Sequence, residues 1–130
     1  MFTKKKIIIT GGEGRFAKVL KLYNKKHDIY YPSKKILDIL SIKSIEVYLK
    51  KIKPKYLIHC AALSRPMSIH DKEISKSIDL NIIGTANIVK VCSELKIKLI
   101  YFSTGYVYPG KIGNYKESDP VLPINNYAWS

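Results

Sequence analysis

Apolar runs and amphipathic stretches alternate along this chain. Ile7, Ile8 and Ile9 form a run bounded by lysine on one side and glycine on the other, the pattern of a strand buried on both faces. Gly11, Gly12 and Gly14 follow, and then Phe16, Val19, Leu20 and Tyr23 recur at helical spacing. His27–Tyr31 reads as a second strand ending at Pro32. After Ile36–Ile39, Ser41 is placed to cap a helix with the face Ile45, Tyr48, Leu49 and Ile52, which stops before Pro54. Tyr56–Ala62 is the third expected strand. From Ile69 to Leu95 the pattern is helical, with Ile78, Ile82, Ala86, Val89 and Cys92 or Ser93 as one stripe and Asn81 and Gly84 on a neighbouring face. An asparagine inside a buried helix needs a backbone or water partner. Ile97–Ser103 is the fourth strand, and a segment rich in Gly, Pro and Asn then runs to Tyr127. Strands alternating with helices predict a parallel α/β sheet with right-handed crossovers.

The strand–glycine–helix corner is the most informative stretch. A helix that starts at a glycine turn points unpaired N–H groups and the positive end of its dipole at the space above the strand, which suits a pyrophosphate. Gly11 permits the sharp turn, Gly14 allows the backbone to approach a phosphate, and Ala17 lets the helix pack close to the sheet. The spacing Gly11-x-x-Gly14-x-x-Ala17 lacks the Lys-Ser/Thr of a P-loop, which argues against a Walker-type NTPase. Ser33, Lys34 and Lys35 follow the second strand, where a carboxylate would bind a ribose 2′-hydroxyl and a cation a 2′-phosphate. NADP is therefore expected, with NAD as the alternative. The small residues Cys60-Ala61-Ala62 at the end of the third strand either admit a ligand against the backbone or simply fit a crowded sheet.

Composition narrows the class. The 130 residues, 46% hydrophobic and 25% charged, suit one globular domain with its own core. No apolar run reaches membrane-spanning length, and the basic start MFTKKKIII leads into a strand without a cleavage site, so no membrane partner and a cytoplasmic location are expected. The net charge of +13 is spread over every segment rather than gathered in one stripe, which predicts weak, salt-sensitive polyanion binding and no specific nucleic acid. Cys60 and Cys92 lack a CxxC pattern and read as reduced core thiols; with His27, His59 and His70 isolated, no metal site is expected.

With Thr10-Gly11-x-x-Gly14-x-x-Ala17, Asp38, Cys60-Ala61-Ala62, Asn81, Ser103-Thr104 and Tyr127 in this order, the chain resembles the extended short-chain dehydrogenase/reductases. It is most similar to their sugar-nucleotide branch, above all the reductases that complete dTDP-rhamnose synthesis, with GDP-fucose synthases and sugar-nucleotide epimerases close behind. NIIGTANIV around Asn81, YFSTGYVYPG around Thr104 and the final PINNYAWS carry the likeness. The resemblance implies a Rossmann-type sheet of strand order 3-2-1-4 and a nucleotide-linked sugar as substrate. It implies that Gly14, Arg15 and Phe16 line the pyrophosphate and that Asp38 and Ile39 line the adenine, with Gly11, Gly12, Ser33 and Lys34 also expected to bind the cofactor. Ala61, Ala62 and Leu63 would line the nicotinamide-side ribose, with Asn81, Ser103 and Tyr127 also expected to bind the cofactor; Thr104 would hydrogen-bond the reacting oxygen, and Tyr127 would donate or accept the proton.

Three departures accompany the resemblance. The Tyr-x-x-x-Lys motif begins Tyr127-Ala128-Trp129-Ser130, and the sequence stops before the lysine, whose ammonium tunes the phenol in the family. Gly105 stands where the rhamnose-type members carry Asp, and Glu13 brings a carboxylate to the phosphate loop. The chain is expected to be the N-terminal, NAD(P)-binding part of a longer enzyme whose C-terminal substrate domain it lacks. An epimerase or dehydratase, or a non-catalytic dinucleotide-binding module, are the alternatives. A fourth strand without an outer neighbour would leave an open edge, so self-association is also expected.

Overall fold

A computed structural model describes residues 5–130; the head of the basic N-terminal run, residues 1–4, lies outside them. Four parallel strands form one sheet: β1 (Lys6–Thr10), β2 (Asp28–Tyr30), β3 (Tyr56–His59) and β4 (Lys98–Tyr101). The helices are α1 (Arg15–Tyr23), α2 (Ile42–Ile52), the single turns α3 (Ile69–Lys72) and α4 (Ile74–Ser77), α5 (Gly84–Glu94) and the single turn α6 (Asn126–Trp129). A π-helical turn, Ile78–Ile83, joins α4 to α5, and a 3₁₀ turn, Gly105–Val107, follows β4. The parallel, helix-flanked sheet is the expected Rossmann type. Each of the three later strands is shorter than its apolar run because the flanking residues leave the ladder for the loops.

The strand order is β2-β1-β3-β4, not 3-2-1-4. Ile9 of β1 is in register with Ile58 of β3, and Lys55 donates its N–H to Lys6 at 2.9 Å, so the third strand lies directly beside the first. The segment between β2 and α2 turns inward. Leu37 and Ile39 are buried in the main core with Ile8, Ile45, Leu49, Leu57, Ile88, Val91 and Cys92. Ser41 caps α2 as expected, its hydroxyl accepting the Ser44 N–H at 3.2 Å.

Two apolar faces lie differently from their sequence pattern. In the helical stretch before β4 the buried positions are His70, Ser77, Asn81, Gly84, Ile88, Val91 and Cys92, whereas Ile78, Ile82 and Val89 are exposed. The π turn inserts one extra residue per turn, seen in the Gly84 N–H bonded to the Asp79 C=O, and this shifts the helix face. Gly84 also passes so close to Ile39 that a Cβ there would lie 2.6 Å from its Cδ1. On α1 only Ala17 is buried; Phe16, Val19 and Tyr23 face outward. Phe16 meets Phe102 beyond β4, ring centroids 5.2 Å apart, and Ile100 beside them is also exposed. Ile9 and Ala17 are buried outside the main core, so this second face is covered in part, with Phe16, Ile100 and Phe102 left exposed.

Candidate functional site

The corner after β1 is built by its glycines. Gly11 has φ +70°, and a Cβ there would lie 3.0 Å from the Ala61 nitrogen, so only glycine fits both the turn and its neighbour. A Cβ on Gly12 would come within 2.6–2.8 Å of the Tyr31 and Pro32 backbone, so Gly12 lets the loop pack on the end of β2. Gly14 spends its N–H on the Gly11 C=O at 2.8 Å. The first intrahelical bond runs from the Lys18 N–H to the Gly14 C=O at 3.0 Å, so Arg15, Phe16 and Ala17 have no intrahelical acceptors for their N–H groups. These are the donors, together with the helix dipole, that the corner can offer to an anion.

Three adjoining cavities of about 260, 390 and 450 Å³ run along the carboxyl ends of the strands, and Cys60 and Ala62 line all three. The first holds Gly11, Gly12, Gly14, Lys34, Asp38, Ile39 and Ala61. The second adds Arg15, Phe16 and Leu63. The third brings Asn81, Ser103, Thr104 and Tyr127 together with Phe16 and Phe102. Residues far apart in sequence thus form one groove from Lys34 to Tyr127. Open α/β sheets bind ligands in this position.

Beneath the groove lies a buried polar chain. The Thr10 hydroxyl oxygen accepts the N–H groups of Cys60 and Ala61, both at 3.1 Å, so its hydrogen is left for Nδ1 of His59 at 2.7 Å. His59 then carries its hydrogen on Nε2 and donates it to the Thr85 Oγ1 at 3.1 Å. Burial holds this imidazole well below its ordinary range, at about 4. The chain fixes the backbone at the point where β3 opens into Ala61 and Ala62. Burial likewise pushes the Cys92 thiol up to about 11 and raises that of Cys60, and both cysteines are free.

Asn81 holds the next stretch of the groove wall. Its Oδ1 accepts the Leu63 N–H at 2.7 Å, and its Nδ2 donates to the Leu63 C=O at 2.9 Å and to Ser130 Oγ at 3.0 Å. Its side-chain bonds therefore shape the wall. At the far end, Asn125 caps α6 by accepting the Ala128 N–H at 2.8 Å, and Tyr106 meets the ring of Tyr127 edge-on with centroids 5.6 Å apart. Thr104 Oγ1 accepts the Tyr106 N–H at 3.3 Å and keeps its hydroxyl hydrogen for another acceptor.

One expected residue stands aside: Ser33 lines none of these cavities, and its C=O instead accepts the N–H groups of Ile36 and Leu37, both at 3.0 Å, closing the turn after β2. Others were not anticipated. Arg65 lines the middle cavity with Arg15, and these are the only two arginines in a chain with 23 basic residues. That placement was a usable signal, because a guanidinium binds phosphate in bidentate fashion. His59, Thr85 and Phe102 carried none, since nothing in their local spacing points to the groove. Among the described residues no three His, Cys, Asp or Glu side chains gather, and no helix is long and apolar enough to cross a membrane.

Comparison with known proteins gives a family model described as the RmlD substrate binding domain, matched by residues 5–130. A dTDP-4-dehydrorhamnose reductase from Bacillus anthracis, solved in complex with NADP, superposes with a TM-score of 0.92 at 33% identity, over 99% of this chain and 47% of that one. The methionine adenosyltransferase 2 subunit beta of Xenopus laevis is 31% identical over 97 residues, 75% of this chain and 29% of its own length. The GDP-L-colitose synthase of Yersinia pseudotuberculosis is 28% identical over 120 residues, 90% of this chain and 39% of its own length. The chain thus spans less than half the length of each of these three relatives.

Proposed function

The chain belongs to the RmlD substrate binding domain family, and from this membership and the groove we propose that it serves an NADP-dependent reduction of a nucleotide-linked 4-keto-deoxysugar. The observation that carries the reading is the continuity of the groove, which joins a glycine corner suited to a diphosphate with a tyrosine and a threonine suited to a reacting carbonyl.

The residues present fit such a cofactor. Gly11 and Gly12 keep side chains out of the corner, the N–H groups at the start of α1 and the cations Arg15 and Arg65 suit the diphosphate, and Lys34 suits a 2′-phosphate. Bound NADPH would supply the hydride for the sugar carbon. The Tyr127 hydroxyl then donates a proton to the sugar oxygen, and the free hydroxyl hydrogen of Thr104 supports that oxygen as charge develops on it. The likeness to a dTDP-4-dehydrorhamnose reductase solved with NADP and to a GDP-L-colitose synthase supports this reading. Its test is loss of NADPH absorbance on adding 4-keto sugar nucleotides, with Tyr127→Phe abolishing it.

A second reading follows from the likeness to a protein named as a subunit beta. Here the groove binds a dinucleotide without turnover and the chain regulates a partner. Saturable NADPH binding without consumption of any 4-keto sugar nucleotide would favour it. Tightly retained dinucleotide in the purified protein would favour an epimerase or dehydratase instead.

A further inference from the structure

We propose that His70 is a positioning residue for Tyr127, a role that rests on the reading of Tyr127 as the proton donor. Tyr127 sits on α6, a single turn of four residues. The structure holds the phenol from outside this turn. Two groups of contacts supply this, and His70 belongs to both.

The first is a chain of hydrogen bonds. Ser130 Oγ donates to the Tyr127 C=O at 3.1 Å and accepts from Asn81 Nδ2 at 3.0 Å and from Ser77 Oγ at 2.9 Å. Ser77 has one hydroxyl hydrogen and spends it on Ser130, so its 2.7 Å contact with Nδ1 of His70 must be one in which the imidazole donates. His70 therefore carries a hydrogen on Nδ1, and this N–H starts a chain that ends on the backbone of Tyr127. The second is ring packing: the His70 and Tyr127 rings lie 4.9 Å apart between centroids, tilted by 50°, with Tyr106 against the same phenol. A further bond, from Asn126 Nδ2 to Asp71 Oδ1 at 2.9 Å, ties the residues next to each in sequence.

His70 is only 1% exposed, and its Nε2 is buried without a hydrogen-bond partner in the structure. An apolar side chain there would avoid the cost of that stranded nitrogen. The feature that distinguishes His70 from such a side chain is the Nδ1–H that steadies α6. Proton donors work only when held within about 0.5 Å of their productive position, and the bonds that run from His70 contribute to that hold.

The test uses the whole chain without cofactor, labelled with meta-fluorotyrosine and followed by fluorine NMR, with the Tyr127 line among the ten tyrosines assigned through Tyr127→Phe. His70→Asn keeps an N–H at the Nδ1 position, His70→Gln places its amide near Nε2, and His70→Leu has none. The Tyr127 line is expected to stay at its wild-type position in His70→Asn and to move toward that of unstructured tyrosine in His70→Gln and His70→Leu, the lines remote from α6 being unmoved. Ser77→Ala, which changes little volume, is expected to shift the same line even if the larger replacements unfold. A Tyr127 line unmoved by Ser77→Ala, or one that responds equally to Asn and Gln, would overturn the proposal. NADPH added to the wild type separates this role from the reductase reading: a Tyr127 line that answers to His70 but not to NADPH keeps the positioning role and removes the proton donor.

Discussion

Thr10 and His59 lie side by side on adjacent strands, and a 2.7 Å bond in which the threonine donates fixes the imidazole as the neutral Nε2–H form. His59 is 2% exposed, and burial lowers it from 6.5 to about 4. The unfolded chain thus binds a proton that the folded chain refuses between these values. Stability is full above pH 6.5 and falls as the pH drops toward 4, by about 3 kcal/mol from this group. Urea unfolding at pH 7 and pH 4 should show that loss in the wild type and a shallower one in His59→Gln; equal slopes would remove His59 as the cause.

Gly12→Ala should destabilise the fold by about 3 kcal/mol, because the added methyl would meet the Tyr31 and Pro32 backbone, which cannot move aside. Gly105→Ala has nothing within 4 Å to meet and should stay within about 0.5 kcal/mol of wild type. Thermal melts of the two variants compare them directly.

Much of this site was legible because chemistry that depends on the backbone leaves short-range signals. Gly11, Gly12 and Ala17 announce a tight corner, and Ser41 and Pro54 bracket a helix whose inward face, Ile45 and Leu49, was readable by spacing. The strand order was not, because whether Tyr56–Ala62 returns beside the first strand or beside the second is set by the crossover, which leaves no local pattern. Nor was the inward face before β4, since a π turn moves the period by one residue and the interior there accepts Ser77, Asn81 and Gly84 in place of isoleucine. The polar chains through His59 and His70 join residues with no common local spacing, so each looked solitary in the sequence.

The cations of the groove should separate by partner. Arg65→Ala should weaken NADPH and NADH alike, by about 2 kcal/mol or roughly thirtyfold, if its guanidinium meets the diphosphate. Lys34→Ala should weaken NADPH about tenfold and NADH little, since only NADPH carries the 2′-phosphate. Calorimetric titration of both cofactors distinguishes these patterns.

Exposed apolar side chains, Val19, Tyr23 and Ile100 among them, should make the chain self-associate. Sedimentation velocity is expected to show a weight-average coefficient that rises with concentration, and the double variant Val19→Lys, Ile100→Lys should flatten it. A wild type that stays monomeric throughout would contradict this.

Trp129 is the only tryptophan and lines the cavity that holds Tyr127 and Thr104, so its fluorescence reports on that end of the groove. Titrating the protein with NADPH at physiological salt tests most directly whether the glycine corner and the tyrosine serve one dinucleotide. Saturable quenching of Trp129 by NADPH, absent with an equal concentration of tripolyphosphate, is the predicted result. Quenching that tripolyphosphate reproduces, or none at all, would contradict the account.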